Sequence, residues 1–546
     1  MSELHFAHWP KGLAKTLTVP QTTIQTNLEI SALRYPNKPA IVYYDSILTY
    51  RDLLNDVEKM AGFLQQDCQV KKGDRVLLYM QNSPQFVIAY YAIMRADAIV
   101  VPVNPMNKAD ELEHYVDDTG ASTVIVSQEL YGNIQKLNHP DIQHILLACY
   151  GDYLKAETTL NVPAFVKDER LVVSNPKVHA WLKALDLNRQ PSPSQATPDD
   201  VCVMPYTSGT TGHPKGCMHT HKTVMYNTIS SANWYLSTSQ DAVYLAALPL
   251  FHVTGMQGNM NTPIYLGGTT VLMTRWDREV AIQSIERYKI SRLAMIAAMV
   301  VDFLSSPNLL KHDLSSVSRI SGGGAAMPEA IAEKLHQLFG INYIEGYGMS
   351  ELIAPSHINP EYRPKKQCLG VPIFDVDSRI IDIETLKELP QGEVGEIIVH
   401  GPQVMKGYWN DAAGTDEVFI ELDGKQFLRT GDIGRIDEDG YFFMVDRLKR
   451  MINASGYKVW PVEVESLMYK NPAIQEACVI GVQDPKRGET VKAVVVLKEG
   501  LQEQISEQDI ITWCKDHMAA YKVPQIVEFI ETLPKTASGK IRWREL

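Results

Sequence analysis

Residues 75–103 read RVLLYMQNSPQFVIAYYAIMRADAIVVPV, and this stretch decides the fold class. Arg75–Met80 and Ile99–Val103 are short apolar runs typical of buried strands. Between them, Pro84–Arg95 has the length and composition of a buried helix. A strand–helix–strand order predicts parallel strands joined by a crossover helix, and such sheets place ligand sites in loops at the carboxyl ends of their strands.

The same alternation continues on both sides of this unit. Further strands are predicted at Ala40–Tyr44 and Ser122–Val126. Further helices are predicted from the cap Thr49 to about Gln66 and at Ala109–Asp118. Residues 150–200 contain several prolines and little periodicity, which predicts a loose connection. Gly392–His400 and Gly440–Val445 resemble strands of a smaller, β-rich part. The expected fold class is α/β, with doubly wound, mostly parallel sheets and a β-rich subdomain.

The pattern changes after Val445, where basic residues cluster around Asn453–Gly456. Helices are then predicted at Val462–Lys470 and Glu507–His517, and strands at Glu476–Val482, Val491–Leu497 and Ile526–Ile530. These elements suffice for a small α+β domain. We therefore place a boundary at Asp446, between an N-terminal domain of residues 1–445 and a C-terminal domain of residues 446–546.

Composition excludes some classes of protein. The 546 residues carry a formal net charge of −12, which argues against a nucleic-acid-binding protein. The seven cysteines include no CxxC pair, so we expect reduced thiols and a cytoplasmic location. The first residues lack the apolar core of a secretory signal, and no run of about 18 apolar residues predicts a membrane span. Peripheral membrane contact and a homodimer stay open.

The loop Tyr206–Gly216, YTSGTTGHPKG, has a composition suited to phosphate. Its glycines let backbone N–H groups turn inward, and its hydroxyls and Lys215 match phosphate oxygens. A polar surface turn would have a similar composition. The Walker pattern fails, because Pro214 precedes the lysine and Gly216 follows it. The Rossmann spacing fails at Ser321–Ala326, SGGGAA.

From Thr207 to Gly216 the loop resembles TSGTTGxPKG, a signature of the adenylate-forming superfamily. That superfamily includes acyl-CoA synthetases, aryl-CoA ligases, peptide-synthetase adenylation domains and firefly luciferase. Four more motifs follow in the family's order: YGMSE at Tyr347–Glu351, LRTGD at Leu428–Asp432, DRLKRMIN at Asp446–Asn453 and PKTASGK at Pro534–Lys540. The sequence that begins with DRLKRMIN is most similar to bacterial medium- and long-chain fatty acid–CoA ligases.

This resemblance implies a reaction in two halves. A carboxylate attacks the α-phosphate of ATP and releases pyrophosphate, and a thiol, usually that of coenzyme A, then attacks the acyl-adenylate. The implied cofactors are ATP, Mg²⁺ and coenzyme A as a substrate. The chain is therefore expected to be an AMP-forming acid–thiol ligase whose partners are small molecules and not nucleic acid.

The resemblance also implies a nucleotide site. Tyr347 would stack on adenine, Asp432 would accept hydrogen bonds from the ribose, and Thr207 with Glu351 would hold Mg²⁺. The implied nucleotide-binding residues are Thr207, Ser208, Gly209, Thr210, Thr211, Gly212, Lys215, Gly323, Gly324, Ala325, Glu345, Gly346, Tyr347, Gly348, Asp432, Arg447, Lys449 and Lys540.

The implied catalytic residues are Lys540, Glu351, Ser350, His252 and Arg447. Lys540 would bridge the carboxylate and the α-phosphate, and Lys449 would be the hinge about which the C-terminal domain turns. Ser455, Gly456 and Tyr457 would line the coenzyme A tunnel. Asn453 departs from the family, which often has a second lysine at this position, so it receives no role.

The implied acyl pocket contains His252, Val253, Met256 and Gly323. His252 stands where peptide-synthetase adenylation domains carry Asp, which disfavours an amino-acid substrate. Met256 stands where many long-chain enzymes have an aromatic gate, which leaves the chain length open. The HxH pair His219 and His221 is interpreted as structural and not as a metal site.

The predicted function is a medium- or long-chain fatty acid–CoA ligase. The alternatives are an aryl-acid ligase of the 4-coumarate type and an acyl-AMP ligase that loads a carrier protein. A luciferase-like oxygenase and a degenerate scaffold that only binds nucleotide also stay open. Glu351, Asp432 and Lys540 argue against the degenerate scaffold.

Lys540→Ala tests the role that the resemblance implies for this lysine. We expect acyl-AMP formation to fall by a factor of about 10²–10³ or more, because negative charge concentrates at the α-phosphate in the transition state. Thioester formation from supplied acyl-AMP should be retained. Both half-reactions are measured separately, and an equal loss in both would refute the role.

Overall fold

The structure, a computed structural model, describes residues 4–207, 214–235, 239–324, 326–454, 457–484, 488–502, 504–535 and 541–546. Within the described residues, contacts divide the chain into two compact units. The larger contains residues 8–377 and 400–426, and the smaller contains residues 1–7, 378–399 and 427–546. Each unit is described by itself.

The strands, in chain order, are β1 Pro39–Tyr43, β2 Ser46–Thr49, β3 Arg75–Tyr79, β4 Ile99–Pro102, β5 Thr123–Ser127, β6 His144–Ala148, β7 Val178–Ala180, β8 Val201–Val203, β9 Tyr206–Thr207, β10 Lys215–Gly216, β11 His219–Thr220, β12 Val243–Ala246, β13 Thr269–Leu272, β14 Arg292–Ala294, β15 Arg319–Gly323, β16 Tyr343–Met349, β17 Ala354–Ile358, β18 Val371–Pro372, β19 Asp377–Ile381, β20 Gly395–His400, β21 Phe419–Leu422, β22 Lys425–Ile436, β23 Phe442–Arg447, β24 Ile452–Ala454, β25 Tyr457–Val459, β26 Ile474–Asp484, β27 Gly488–Leu497 and β28 Ile526–Phe529.

The helices are α1 Ile24–Arg34, α2 Tyr50–Gln66, α3 Pro84–Arg95, α4 Ala109–Thr119, α5 Tyr131–Leu137, α6 Trp181–Asp186, α7 His221–Trp234, α8 Val253–Gly255, α9 Thr262–Leu266, α10 Arg278–Tyr288, α11 Ala297–Leu304, α12 Glu329–Phe339, α13 Ala412–Val418, α14 Pro461–Met468 and α15 Glu507–His517. A π-helical turn, Met256–Asn261, joins α8 to α9.

Two large sheets form the larger unit. The first has nine strands in the order β18-β17-β16-β15-β14-β12-β13-β1-β2, and the second has seven in the order β11-β8-β4-β3-β5-β6-β7. Every pairing from β16 to β1 in the first sheet and from β8 to β7 in the second is parallel. The predicted α/β class with mostly parallel sheets is thereby confirmed.

Strand β3 shows why the seven-stranded sheet is apolar on both faces. Val76 and Leu78 pack into one buried cluster, while Leu77 and Tyr79 pack into another. Alternate side chains of a strand point to opposite faces, so a parallel strand covered on both faces reads as a continuous apolar run. This is the signal that the sequence carried at residues 75–80.

Two helices begin where local chemistry predicts. Thr49 accepts a hydrogen bond from the Asp52 N–H, and the Asp52 carboxylate accepts one from the Thr49 N–H, so α2 starts with a capping box. Ser83 caps α3, and Pro84 occupies its first turn, where the missing N–H has no intrahelical partner to lose.

The smaller unit contains two sheets. Strands β20, β22 and β23 pair antiparallel, and β19 adjoins β20. The second sheet has the order β25-β24-β27-β26, with β28 parallel to β27. Helix α14 packs on β26, and α15 packs on β28. The boundary at Asp446 stays a prediction, because compactness does not establish which residues move together.

The connection predicted to be loose contains regular structure. Strand β7 adds to the edge of the seven-stranded sheet beside β6, and α6 follows directly with Trp181 buried. Three strand residues are too few to show a period, so burial of Trp181 and pairing with β6 determine this structure.

The segment that leads into the phosphate loop forms two short strands. Strand β8 pairs in the seven-stranded sheet, and β9 pairs with β10. Among the described residues, none of the helices is long and apolar enough to cross a membrane.

His221 is part of the core of the larger unit. It is buried, and its Nδ1 accepts the backbone N–H of Ile24 at 3.1 Å. Burial lowers its pKa from 6.5 to about 4, so the folded protein holds this imidazole neutral. The interpretation of His221 as structural fits these contacts.

His221→Asn tests this buried imidazole. As the pH falls from 6.5 towards 4, the unfolded chain binds a proton that the folded chain does not, so up to roughly 3 kcal/mol of stability is lost at this residue. Asn keeps an acceptor near Nδ1 but does not titrate in this range. We therefore expect a smaller shift of the urea midpoint between pH 7 and pH 4.5 than in the unsubstituted protein.

His336→Gln is the matched control, because His336 is exposed on α12. Its pH dependence should equal that of the unsubstituted protein. Equal pH dependence in His221→Asn would contradict the assignment.

Candidate active site

The carboxyl ends of β15 and β16 form the base of the candidate site. These strands run parallel with Gly323 opposite Gly346, so their carboxyl ends meet at one edge of the nine-stranded sheet. A Cβ atom on Gly323 would lie 2.3 Å from the Gly346 carbonyl oxygen, and one on Gly322 would lie 2.1 Å from that of Met295. Both glycines are therefore required by the close approach of neighbouring backbone.

Gly324 differs from these two glycines. Its φ is +85°, and a Cβ there would meet no heavy atom within 4 Å. The resemblance places Gly323, Gly324 and Ala325 in the nucleotide site. Of these three, Gly324 has open space beside its Cα, and Ala325 lies outside the described residues.

The YGMSE segment continues from this edge. Tyr347 is in β16, buried and in edge-to-face contact with His357 at 5.5 Å between ring centroids. A Cβ on Gly348 would lie 2.3 Å from the Ala354 carbonyl oxygen, so this glycine lets β16 and β17 pair closely. The chain then turns through a 3₁₀ turn, Ser350–Leu352.

Glu345 has a buried carboxylate. Its two oxygens accept the backbone N–H groups of Met327 and Cys368, each at 2.8 Å. Burial raises its pKa to about 7. The carboxylate thus fastens two loops beside β16, and its nucleotide-binding role stays a prediction.

Glu351 is the acidic centre of the site. Only 5% of it is exposed, and its Oε1 accepts the Tyr408 hydroxyl at 2.9 Å. The Glu351 carbonyl oxygen also accepts the N–H of Met405 at 2.8 Å. Burial, followed by the charge of Glu351, raises the pKa of Tyr408 well above its ordinary value, so this phenol stays a donor.

Lys215 lies on the other side of the same tyrosine. Its Nζ is 5.1 Å from the centroid of the Tyr408 ring and 2.6 Å from Asp411 Oδ2. The hydrogen bond from Lys215 lowers the pKa of the Asp411 carboxyl. Tyr408 therefore holds a carboxylate at its hydroxyl and a cation over its ring.

The ends of the phosphate loop are fixed by strand pairing. Strands β9 and β10 pair antiparallel, which places Lys215 opposite Thr207. The Trp409 N–H donates to the Gly216 carbonyl oxygen at 2.8 Å, joining the loop to the Tyr408 segment. Ser208, Gly209, Thr210, Thr211 and Gly212 lie outside the described residues.

His219 supports the turn that carries Ser350. Its Nε2–H donates to the Ser350 carbonyl oxygen at 2.7 Å. Burial lowers the pKa of His219 to about 4, so the ring is a neutral donor at pH 7. The interpretation of the HxH pair as structural fits this contact too.

The residues predicted for the acyl pocket have unequal exposure. His252 is exposed and caps α8, where its Nδ1 faces the Thr254 N–H at 3.4 Å. Val253 and Met256 belong to the buried core. A Cβ on Gly258, in the π-helical turn, would meet no heavy atom within 4 Å. Their role as an acyl pocket stays a prediction.

In the smaller unit, Asp432 and Arg447 face each other across β22 and β23. Arg447 Nε lies 3.1 Å from Asp432 Oδ1, with the carboxylate buried and 51% of the arginine side chain exposed. The turn before Asp432 is held by Glu396, whose oxygens accept the Gly431 N–H at 3.0 Å and the Arg429 guanidinium at 2.7 Å.

Asp446 joins the end of β23 to the start of α14. Its Oδ1 accepts the Arg447 N–H at 2.6 Å, and its Oδ2 accepts the Val462 N–H at 2.7 Å. Burial raises the pKa of this carboxyl. Two backbone donors, one before and one after Lys449 in the chain, thus share one side chain.

Several residues predicted for the smaller unit lie outside the described part of the structure, wholly or by their side chains. Ser455, Gly456 and Lys540 lie outside the described residues, as do the side chains of Lys449, Asn453 and Tyr457. Their predicted roles stay predictions.

Sequence analysis missed Tyr408 and Asp411. They lie in GYWND, residues 407–411, whose two aromatic residues beside turn-forming Gly and Asn were a weak signal. The contact of Tyr408 with Glu351 joins positions 57 apart, and no local pattern predicts it.

Comparisons with known proteins identify the family of this chain. A model described as AMP-binding enzyme matches residues 28–409, and one described as AMP-binding enzyme C-terminal domain matches residues 463–540. The chain belongs to the AMP-binding enzyme family. The predicted family and enzyme class, an AMP-forming acid–thiol ligase, are confirmed.

Three similar proteins illustrate the range of this family. A long-chain-fatty-acid–CoA ligase of Bacillus subtilis is 37% identical, over 99% of this chain and 97% of its own. A feruloyl-CoA synthase of an Amycolatopsis species is 34% identical, over 93% and 94%. The crystal structure of an anthranilate CoA ligase with anthranoyl-AMP has a TM-score of 0.80 and 28% identity, covering 97% of each chain.

Tyr408→Phe tests whether the Tyr408 hydroxyl prepares Glu351 for Mg²⁺. Losing a hydrogen bond to a charged group removes about 1.5–3 kcal/mol. We therefore expect ATP–pyrophosphate exchange at limiting Mg²⁺ to fall about tenfold or more, with partial recovery as Mg²⁺ is raised. Phe keeps the ring beneath Lys215, so the cation contact is preserved.

Tyr244→Phe is the matched control, because its buried hydroxyl has no hydrogen-bond partner among the described residues. It should exchange pyrophosphate like the unsubstituted protein. If pyrophosphate exchange by Tyr408→Phe depends on Mg²⁺ as it does in the unsubstituted protein, the interpretation of Glu351 as a metal ligand is contradicted.

Proposed function

We propose that this protein is a Mg²⁺-dependent fatty acid–CoA ligase that accepts medium- and long-chain acids. The observation that carries the proposal is the arrangement about Tyr408, which fixes the Glu351 carboxylate and the Lys215 ammonium on one aromatic side chain. A metal–triphosphate ligand needs an oxygen donor for the cation and a positive charge for the phosphates.

In the proposed first half-reaction, Lys215 leaves Asp411 and turns to the β- and γ-phosphates of ATP. Thr207 lies opposite it in the strand pair, so both ends of the loop can face the same phosphates. Glu351 fits a hard cation, because it is a buried carboxylate with a fixed orientation. Mg²⁺, when bound, would neutralise phosphate charge, and Glu351 with Thr207 would hold it.

The nucleoside would lie along the glycine-lined edge of β15 and β16. Gly324 offers the open space there, and Tyr347 offers an aromatic face for adenine. Asp432 would accept the ribose hydroxyls. Its present partner Arg447 is half exposed and would move to the phosphate side without exposing an apolar surface.

We further propose that residues 446–546 move as a domain between the two half-reactions. Lys449 would be the hinge and Lys540 the residue that bridges the carboxylate and the α-phosphate in the first step. The domain would then bring Ser455, Gly456 and Tyr457 to coenzyme A. The Asp446 side chain, which holds one N–H before Lys449 and one after it, would define where bending starts.

Fatty acids are proposed over other acids for two reasons. The Bacillus subtilis relative named as a long-chain-fatty-acid–CoA ligase matches nearly the whole chain. Gly258 leaves space in the π-helical turn, which follows His252 in the chain, and the carboxylate end of the acid is expected near His252. The cytoplasmic location, the homodimer and peripheral membrane contact stay predictions.

An aryl acid is the second candidate. The feruloyl-CoA synthase and the anthranilate CoA ligase favour it, since each is named for an aromatic acid. A carrier protein as the thiol acceptor is the third candidate, and it differs in needing no coenzyme A.

A pyrophosphate-release screen tests the proposed function. Saturated acids of different chain lengths and aryl acids would each be supplied with ATP and Mg²⁺, with and without coenzyme A. We expect the largest kcat/KM for medium- or long-chain acids, with acyl-CoA formed. Preference for cinnamate-type acids would favour the aryl candidate, and pyrophosphate release without acyl-CoA would favour the carrier-protein candidate.

Gly258→Leu locates the acyl chain within that screen. The larger side chain would fill the open space at Gly258, so we expect kcat/KM for a long-chain acid to fall at least tenfold relative to a medium-chain acid. Gly258→Ala is the matched control and should change this ratio little. An unchanged ratio of the two kcat/KM values in Gly258→Leu would contradict the placement of the acyl chain at Gly258.

A further inference from the structure

Three side chains of types that commonly bind metal ions meet on one face of the seven-stranded sheet, in the larger unit. Cys68 follows the end of α2, His144 begins β6, and His179 is the middle residue of β7. The Cys68 Sγ and one ring nitrogen from each histidine all lie within 4.8 Å of one another. None of the three was assigned to ATP, the acid or coenzyme A.

The register of two parallel strands brings the histidines together. His179 lies opposite Leu146, two residues after His144. Because alternate residues of a strand share a face, His144 and His179 point to the same side of the sheet. The Phe63 ring of α2 packs edge-to-face on His179 at 5.3 Å, so the helix that precedes Cys68 covers this face.

The distance between the histidines suits a tetrahedral ion. His144 Nδ1 and His179 Nε2 are 3.3 Å apart. Two nitrogens bound tetrahedrally at about 2.0–2.1 Å from Zn²⁺ would be about 3.3 Å apart. In the structure one of these nitrogens hydrogen-bonds to the other, and a shared ion would replace that bond with a metal bond to each.

The charges around the cluster favour neutral imidazoles. Burial lowers the pKa of His144, with His179 and Lys177 contributing, and burial lowers the pKa of His179. Neutral imidazole is the form that binds metals. Asp67 adds negative charge on this side, although Arg189 pairs with it at 2.9 Å.

The thiol is the most buried member. Cys68 is 4% exposed, and burial raises its pKa to about 12, so metal binding must displace its proton. The two histidines are half-buried, which leaves a path for an ion and for water as a further ligand. One thiolate and two imidazoles suit a borderline-soft ion such as Zn²⁺ and not Mg²⁺.

We propose that Cys68, His144 and His179 form a binding site for Zn²⁺ or a similar divalent transition-metal ion, with water as the fourth ligand. The site lies apart from the residues assigned to the ligase reaction and does not depend on the proposed function.

The ion would add a further connection among three parts of the fold. Strand β7 has three residues and forms the sheet edge, and the cluster ties it to β6 and to the end of α2. The pair Arg189–Asp67 already joins the segment after α6 to α2. Metal binding should therefore stabilise this side of the larger unit against unfolding.

Metal titration of the full chain tests the proposal. The protein is stripped with a chelator and then titrated with Zn²⁺ by calorimetry and with Co²⁺ by absorption. We expect one more equivalent of Zn²⁺ bound than in Cys68→Ser, and a thiolate-to-Co²⁺ charge-transfer band that Cys68→Ser abolishes. Zn²⁺ bound at Glu351 or elsewhere is common to both proteins and cancels in the difference.

Two further variants make the result decisive. Cys478→Ser, at a buried cysteine of the other unit, should keep both the band and the stoichiometry. His144→Gln/His179→Gln should lose one equivalent of Zn²⁺, and it replaces Cys68→Ser if that variant does not fold when metal-free. Zn²⁺ should raise the thermal midpoint of the unsubstituted protein more than that of the double variant. Equal stoichiometry in all these proteins, with no thiolate-to-Co²⁺ band, would overturn the proposal.

Discussion

The arrangement of the larger unit depends on backbone strands that approach more closely than any side chain allows. At Gly322, Gly323 and Gly348 a single added carbon would lie within 2.1–2.3 Å of a carbonyl oxygen of a neighbouring strand or connection. Glycine alone lets β14, β15, β16 and β17 pair there. That pairing places the ends of β15 and β16 at one edge, from which the proposed contacts to the nucleoside start.

The chemistry at that edge comes from side chains delivered by another segment. Tyr408 donates to Glu351 and lies beneath Lys215. One residue therefore contacts both the carboxylate proposed to hold the metal ion and the ammonium proposed to bind the phosphates. Asp411 neutralises Lys215 in this structure, and ATP would have to take its place. Glu351 is thus already held in place, whereas Lys215 would have to exchange Asp411 for the phosphates.

The proposed ribose-binding carboxylate and the proposed catalytic lysine belong to the smaller unit. Asp432 is already paired with Arg447 there, and Asp446 holds the backbone on both sides of the proposed hinge. The proposed metal site at Cys68, His144 and His179 would stabilise the larger unit against unfolding and would take no part in the ligase reaction.

The sequence by itself determined the family, the α/β class and most strands and helices of residues 39–127, because apolar runs, caps and motifs are local signals. Thr49–Asp52 and Ser83–Pro84 start helices as their chemistry requires, and α3 and α15 have the bounds that periodicity predicted. The tertiary structure alone decided which distant strands and side chains contact one another. Strand β7, the Tyr408–Glu351 bond and the meeting of Cys68 with two histidines join distant positions, and contacts of that kind arise from packing and strand register, which leave no periodic trace in a single chain.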